Sequence, residues 1–125
     1  MKLSEKQKSI KSLIEQAAAL AVIDPAWACA VAMTESSLGG NQVSHTGARG
    51  VFQNTRISML DLLMKMGDKT NVGDKIGILA GVSFLALLLS RWGSEDEAIR
   101  HFCDPKDVMF YLPRVKKLKD EFGKG

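Results

Sequence analysis

The feature that most constrains the fold is an apolar run in the second half of the chain, IGILAGVSFLALLL, from Ile76 to Leu89. It has fourteen residues, whereas a helix that crosses a bilayer needs roughly 20. No run of useful length in the chain has the period of a β-strand. The apolar run therefore predicts a helix that ends at Gly93 and forms the buried centre of a globular protein.

Apolar residues at helical spacing also predict a helix at the N-terminus, over about residues 4–21. Ser4 and Gln7 form the pattern of a capping box at its start. The side chains expected to face inward are Ile10, Leu13, Ile14, Ala17 and Leu20.

Two further helices are predicted before the apolar run. Asp24 is typical of an N-cap and Pro25 of a first helical turn, so a second helix should run from here to about Ser37. Asn54 or Thr55 should cap a third helix, which ends at Gly67.

The C-terminal part continues the helical pattern. The stretch SEDE at Ser94 predicts a capped helix through Phe102, and Asp104-Pro105 a further turn. Pro113 is expected in the first turn of a last helix, which should face inward with Val115, Leu118 and Phe122. We predict one compact all-α domain over residues 1–125, with at most a small hairpin between Asn41 and Gln53.

The charge of the chain indicates which kinds of partner it could bind. The net charge is +3, and lysines concentrate at both ends of the chain, which suits a polyanionic partner and equally suits solvated terminal helices. No helix combines Arg and Lys with Asn or Gln as a recognition helix does, so nucleic acid is not expected as a partner.

The histidines are not expected to form a metal site. His45 and His101 lack a third ligand candidate at a suitable spacing, so neither a metal nor another cofactor is expected. His101 should be a partly buried polar residue. Cys29 should be a buried thiol, although a bridge to Cys103 stays open.

One carboxylate has no structural explanation in the sequence. Asp24 is a cap, Glu95 to Glu97 suit a first helical turn, and Asp61, Asp68 and Asp107 look solvated. Glu35 instead follows Val31-Ala32-Met33 at the C-terminal end of an apolar helix, where the helix dipole disfavours negative charge. Burial and the dipole should raise its pKa, and a carboxyl that stays protonated near neutral pH can act as a general acid.

The surroundings of Glu35 resemble the active-site region of soluble-type lytic transglycosylases, which are relatives of goose-type lysozyme. That family pairs Glu-Ser at a helix end with a downstream Gly-Ala-x-Gly-Leu-Met-Gln. Here the two motifs are Glu35-Ser36 and GARGVFQ, residues 47–53. Weaker matches follow in the right order, Gly81, Phe84 and Leu85 in the apolar run and YLPRV at residues 111–115. The resemblance spans about residues 20–118.

The resemblance implies a lysozyme-like fold and cleavage of the β-1,4 bond between N-acetylmuramic acid and N-acetylglucosamine in peptidoglycan. Glu35 would be the catalytic residue, acting as acid and then as base. Residues implied in substrate binding are Ser36, Ser44, Gly50, Gln53, Phe102 and Tyr111. One segment departs from the family, since Phe102 and Cys103 stand where a Tyr and an Asn usually line the sugar cleft.

Two alternatives remain open. Most glycosidases use two carboxylates. No second carboxylate lies between Glu35 and Gln53. Its absence from this segment favours a transglycosylase that forms a 1,6-anhydro product. Asp104 could supply a second carboxylate and make the protein a muramidase, although a helix cap explains it as well. A degenerate member of the family could also bind peptidoglycan without cleaving it.

The sequence shows no secretory signal, because its N-terminus is charged and amphipathic. We therefore expect a phage-encoded protein, either virion-associated or an endolysin, that acts on the bacterial cell wall. Its partner is expected to be the glycan strand, without a membrane span, and the protein is expected to be a monomer.

Overall fold

The computed structural model describes residues 2–36, 38, 74–103 and 105–124, which contain helices and no strand. The elements are α1 (Glu5–Ala21), α2 (Pro25–Ser36), α3 (Asp74–Trp92), α4 (Glu95–Phe102), a short 3₁₀ helix (Pro105–Asp107) and α5 (Val108–Gly123). The all-α prediction is confirmed for these ranges. The expected hairpin at residues 41–53 and the expected helix that ends at Gly67 lie outside the described residues.

The helix starts follow the capping residues in the sequence. Ser4 Oγ accepts from the Gln7 N–H at 3.1 Å, and Gln7 Oε1 accepts from the Ser4 N–H at 2.9 Å, which completes the predicted capping box. Asp24 Oδ1 accepts from the Ala26 N–H at 2.8 Å at the start of α2. Ser94 Oγ accepts from the Glu97 N–H at 3.2 Å at the start of α4. Each bond satisfies a backbone donor that has no partner inside its helix.

Among the helices that the structure describes, α2 rather than α3 is the most completely buried. Every residue from Trp27 to Met33 is buried, and α2 packs against both α1 and α5. Ala28, Ala30 and Ala32 lie in this run, and their small side chains let the neighbouring helices approach closely. Helix α2 therefore holds its C-terminal residues in a fixed position relative to α5.

The prediction that α3 forms the buried centre is correct for one side of the helix only. Helix α3 packs against α1 and α4 and buries Ile78, Val82 and Leu85. Leu79 and Leu87 on its other side are partly exposed. The apolar composition of α3 therefore did not predict how many of its sides pack against other parts of the protein.

Three local predictions are wrong. Leu20 is 81% exposed, because it lies at the edge of the face that Ile14 and Ala18 bury. His101 is exposed, not partly buried, and its ring stacks on Trp92 with centroids 3.7 Å apart. Pro113 lies in the second turn of α5, because that helix begins earlier, directly after the 3₁₀ helix. The carbonyl of Met109 consequently has no N–H four residues further on.

Ion pairs connect α5 to its neighbours. Lys119 Nζ lies 2.7 Å from Glu95 Oε1 and 3.5 Å from Asp24 Oδ2, at the starts of α4 and α2. Lys116 Nζ lies 2.8 Å from Asp96 Oδ2. Surface pairs of this kind contribute roughly 0–1 kcal/mol each. Their main consequence is orientation, since they hold α5 against the two elements that flank it.

Within the described ranges no single helix is long and apolar enough to cross a membrane. The segments Gly77–Trp92 and Glu95–Phe102 reach that length and composition only as a pair, across a bend of 119°. Helix α1 packs against α2 and α3. A single domain over residues 1–125 stays a prediction.

Candidate active site

The C-terminal turn of α2 positions Glu35. The Thr34 hydroxyl donates to the Ala30 carbonyl at 2.9 Å, and the Ser36 hydroxyl donates to the Ala32 carbonyl at 3.2 Å. Leu38 follows in the left-handed conformation, with φ of 53°, and its N–H also donates to the Ala32 carbonyl. Leu38 is fully buried, so it anchors the chain directly after the helix end. Glu35 is thereby held at the last turn of the most buried helix.

A side chain from α5 reaches this carboxyl. Tyr111 Oη donates a hydrogen bond to Glu35 Oε1 at 2.6 Å. The contact depends on the packing of α5 against α2. It leaves the second carboxyl oxygen, Glu35 Oε2, without a contribution from Tyr111.

The environment favours the protonated form of Glu35. Burial raises the pKa of Glu35 above its ordinary value of 4.5, and the negative charge of Asp107 raises it further, whereas the hydrogen bond from Tyr111 lowers it. The raised pKa confirms the direction inferred from the apolar helix, with desolvation as the main cause. Burial and the neighbouring Glu35 also raise the pKa of Tyr111 well above 10.0, so Tyr111 stays a hydrogen-bond donor.

An aromatic row of Phe84, Phe102 and Tyr111 lies beside the carboxyl. The ring centroids of Phe84 and Phe102 are 6.0 Å apart, and those of Phe102 and Tyr111 are 6.4 Å apart, in tilted arrangements. The three rings come from α3, α4 and α5, so the row joins these helices next to the end of α2. Aromatic pairs at these distances stabilise the contact beyond their buried area. The row supplies a rigid apolar support for the Tyr111 ring.

The structure brings together only some of the residues that the sequence analysis selected. Glu35, Phe102 and Tyr111 lie in one cluster. Ser36 is 2% exposed and its hydroxyl bonds to its own helix, which favours a role in the helix end over the expected contact with substrate. Ser44, Gly50, Gln53 and Asp104 lie outside the described residues.

Sequence reasoning missed two features of this cluster. It selected Tyr111 from a weak motif, without the contact to Glu35. It treated Asp107 as a solvated acid, which is correct for its exposure but omits its effect on Glu35. The available signal was spacing, since Asp107 precedes Tyr111 by four residues, one helical turn.

No group of three or more His, Cys, Asp or Glu side chains that could hold a metal ion occurs in the described part of the chain. Cys29 and Cys103 are both thiols. Cys29 is buried in α2, and the Cys103 thiol donates to the Ile99 carbonyl at 3.3 Å. The chemistry that this cluster offers is that of a carboxyl with a raised pKa beside a phenolic donor.

Comparison with known proteins agrees with that chemistry. The model of the transglycosylase SLT domain family matches residues 12–101. The chain belongs to this family. Comparisons with curated proteins and with solved structures give no match.

Membership of the SLT family establishes the fold and the type of activity. The fold is all-α and lysozyme-like, and the activity is of the lytic transglycosylase type, cleavage of glycosidic bonds in peptidoglycan. The match includes Glu35 and ends at His101, so the helix that carries Tyr111 lies beyond it.

Proposed function

We propose that this SLT domain is a peptidoglycan lytic transglycosylase in which Glu35 acts first as general acid and then as general base. The proposed substrate bond is the β-1,4 linkage from N-acetylmuramic acid to N-acetylglucosamine, and the proposed product carries a 1,6-anhydro ring. The observation that carries the proposal is the partly buried Glu35 carboxyl with its raised pKa and its hydrogen bond from Tyr111.

In the first step Glu35 donates its proton to the glycosidic oxygen. The bond between that oxygen and C1 of the muramic acid breaks, and the N-acetylglucosamine leaves with a hydroxyl group. The N-acetyl carbonyl oxygen of the muramic acid stabilises the positive charge at C1. A carboxyl with a raised pKa suits this step because it keeps its proton up to a higher pH than an ordinary glutamate does.

In the second step the Glu35 carboxylate takes the proton of the C6 hydroxyl, and the C6 oxygen bonds to C1. The ring closes without water, and Glu35 recovers its proton. The Tyr111 hydroxyl supports this half of the cycle because a hydrogen bond to the charged form stabilises the carboxylate. The same donor thus holds one carboxyl oxygen in place through both steps.

Glu35→Gln tests the proposed role of the carboxyl. The variant keeps the size of the side chain and an acceptor for Tyr111 but cannot supply the proton. General acid–base catalysis is worth about 10²–10⁴-fold, so release of soluble fragments from purified peptidoglycan should fall by at least that factor. Glu121→Gln removes an exposed carboxylate from α5 and is the matched control, with activity close to that of the wild type.

Mass spectrometry of the fragments separates the proposal from its alternatives. Anhydro products are lighter by one water than the products of a muramidase. Products with reducing ends together with an inactive Asp104→Asn variant would establish a hydrolase with two carboxylates. Binding to peptidoglycan without any fragments would establish a binding module. A folded Glu35→Gln variant with full activity would end the proposal.

A further inference from the structure

One side of α5 is open to solvent. Helix α5 packs against α2 and α4 and buries Val115 and Leu118. Phe110, Arg114 and Lys117 are exposed, and their spacing of four and then three residues places them on one face of the helix. We call these three residues the outer face of α5.

The outer face of α5 begins beside the Glu35 carboxyl. Phe110 directly precedes Tyr111, whose hydroxyl donates to Glu35 Oε1 at 2.6 Å. Arg114 follows Tyr111 by three residues, and side chains at this spacing are neighbours, with Cβ atoms about 5–6 Å apart. Lys117 lies about 9 Å beyond Tyr111 along the helix axis. A ligand that reaches Glu35 can therefore continue along this face.

The two cations of the outer face are not neutralised. In the described ranges neither Arg114 nor Lys117 forms an ion pair. Lys116, which lies between them in the sequence but on the α4 side of the helix, pairs with Asp96. Residues 120–121 are exposed acids about one turn beyond Lys117, and no ion pair joins them to it in this part of the chain. Both cations are therefore available to an anionic ligand.

Phe110 adds an apolar surface next to these cations. It is 82% exposed, which makes it the most exposed of the described aromatic residues, ahead of Trp92 at 41%. Met109 beside it is 84% exposed. Covering such a ring removes apolar area from water and stabilises a complex. The outer face of α5 therefore suits a ligand that carries both carboxylates and apolar groups.

The proposed substrate carries such a chain at the bond that is cleaved. A short stem peptide, with apolar side chains and free carboxylates, is attached through the lactyl group of N-acetylmuramic acid. In the proposed reaction this is the sugar whose C1 lies at Glu35. An extended peptide spans about 3.3–3.6 Å per residue, so about three residues cover the roughly 9 Å between Tyr111 and Lys117. The stem peptide is therefore long enough to reach both cations.

We propose that the outer face of α5 binds the stem peptide of the muramic acid at the cleavage point. Arg114 and Lys117 pair with peptide carboxylates, and the Phe110 ring packs against apolar side chains of the peptide. The inference rests on the proposed function, because that reaction places a muramic acid beside Glu35. The face makes the protein select glycan that still carries its peptides.

The test compares glycan strands that carry stem peptides with the same strands after an amidase has removed the peptides. Binding is measured in the Glu35→Gln background, in which the strands should stay intact. Arg114→Gln/Lys117→Gln should weaken binding of the peptide-bearing strands about 2- to 30-fold, because an exposed ion pair contributes little. Phe110→Ala should weaken it roughly fivefold. Neither change should affect binding of the peptide-free strands.

Lys2→Gln/Lys6→Gln is the matched control. It removes the same charge from two exposed lysines at the N-terminal end, which form no ion pair within the described residues. Helix α1 packs against α2 and α3, so this change should leave binding of both kinds of strand as it was. Salt supplies a second control, because the Debye length falls from about 30 Å at 0.01 M to about 3 Å at 1 M. The effect of Arg114→Gln/Lys117→Gln should shrink over that range.

Three results would overturn the role of the outer face. They are unchanged binding of peptide-bearing strands to Arg114→Gln/Lys117→Gln, an equal loss with peptide-free strands, and an equal loss in the lysine control. An equal loss of binding to anionic phospholipid vesicles would also overturn it, because the face would then bind anionic surfaces in general.

Failure of this inference and failure of the proposed function give different results. If Glu35→Gln still cleaves the strands, the proposed reaction fails. The face then stands if Arg114→Gln/Lys117→Gln lowers the initial rate of cleavage only with peptide-bearing strands. If Glu35→Gln is inactive and the α5 variants bind as before, the face fails and the reaction stands.

Discussion

Tyr111 Oη lies 2.6 Å from Glu35 Oε1, although 76 residues separate the two in the chain. This hydrogen bond joins the last turn of the most buried helix to the helix that covers it. Glu35 is the group of the described cluster that can exchange a proton, and Tyr111 orients its carboxyl. The geometry of the acid therefore depends on how α5 packs against α2.

Removing this hydroxyl should alter both the rate and the pH profile. In Tyr111→Phe the Glu35 carboxylate loses a donor, so the pKa of Glu35 should rise further and the basic limb of activity should move to higher pH. A hydrogen bond of this kind contributes about 1 kcal/mol net, which corresponds to roughly a fivefold loss in rate at the pH optimum. The pH dependence of kcat/KM with purified peptidoglycan measures both effects.

The control for this prediction is Asp107→Asn, which should move the same limb in the opposite direction. A basic limb at lower pH in Tyr111→Phe would show that the hydroxyl does not stabilise the Glu35 carboxylate. Equal and parallel shifts in the two variants would indicate a general disturbance of α5.

Two leucines test the assignment of the core. Leu85→Ala removes a fully buried side chain from α3 and should lower the free energy of unfolding by about 2–5 kcal/mol. Leu20→Ala makes the same chemical change at an exposed position and should alter it by less than about 0.5 kcal/mol. Denaturant unfolding of the three proteins measures the difference. A loss on Leu20→Ala comparable to that on Leu85→Ala would contradict the exposure of Leu20.

Local signals in the sequence predicted most of the helix starts. The side chains of Ser4, Asp24 and Ser94 accept hydrogen bonds from backbone groups two or three residues away. Their roles can therefore be predicted from a few consecutive residues. The raised pKa of Glu35 also followed from local composition, because its helix is apolar. These predictions required no knowledge of which helices touch.

The features that were missed depend on long-range packing. Leu20 and Leu79 have apolar side chains at helical spacing, yet both are exposed, because packing decides which sides of a helix its neighbours cover. The contact between Tyr111 and Glu35 depends on the position of α5 on α2, and so does the influence of Asp107. A short stretch of sequence does not determine how two distant helices pack. The early start of α5 could not be predicted either, because proline favours the first turn of a helix, whereas Pro113 lies in the second turn and removes one helical hydrogen bond there.

The two thiols should differ in reactivity. Burial raises the pKa of Cys29 to about 12, so its thiolate is scarce at neutral pH and its side chain is inaccessible. Cys103 is only partly buried, at the end of α4. A thiol reagent should modify Cys103 in the native protein and both residues after denaturation without reductant.

Mass spectrometry of the modified peptides identifies which cysteine has reacted. Cys103→Ser is the control and should leave a native protein without a rapidly reacting thiol. Rapid native labelling of Cys29, or fewer than two reactive thiols after denaturation, would be inconsistent with these assignments.

The dependence of stability on pH gives a test of Glu35 that is independent of catalysis. Because the pKa of Glu35 in the folded protein is raised above 4.5, the folded state holds this proton over a range of pH in which the unfolded chain has lost it. The folded state then binds more protons, so this group lowers the stability as pH rises through that range. Each unit of raised pKa corresponds to about 1.4 kcal/mol.

Glu35→Gln removes this dependence and keeps the side-chain volume. The free energy of unfolding of Glu35→Gln relative to the wild type should therefore increase as pH rises from below 4.5 through the raised pKa of Glu35 in the folded protein, and should stay constant above it. The other acids are common to both proteins, so their titration cancels in this difference. Glu121→Gln removes an exposed carboxylate and should show no comparable change. Denaturant unfolding at a series of pH values measures the difference, and a difference that falls with pH would mean that the folded protein stabilises the Glu35 carboxylate instead of its acid form.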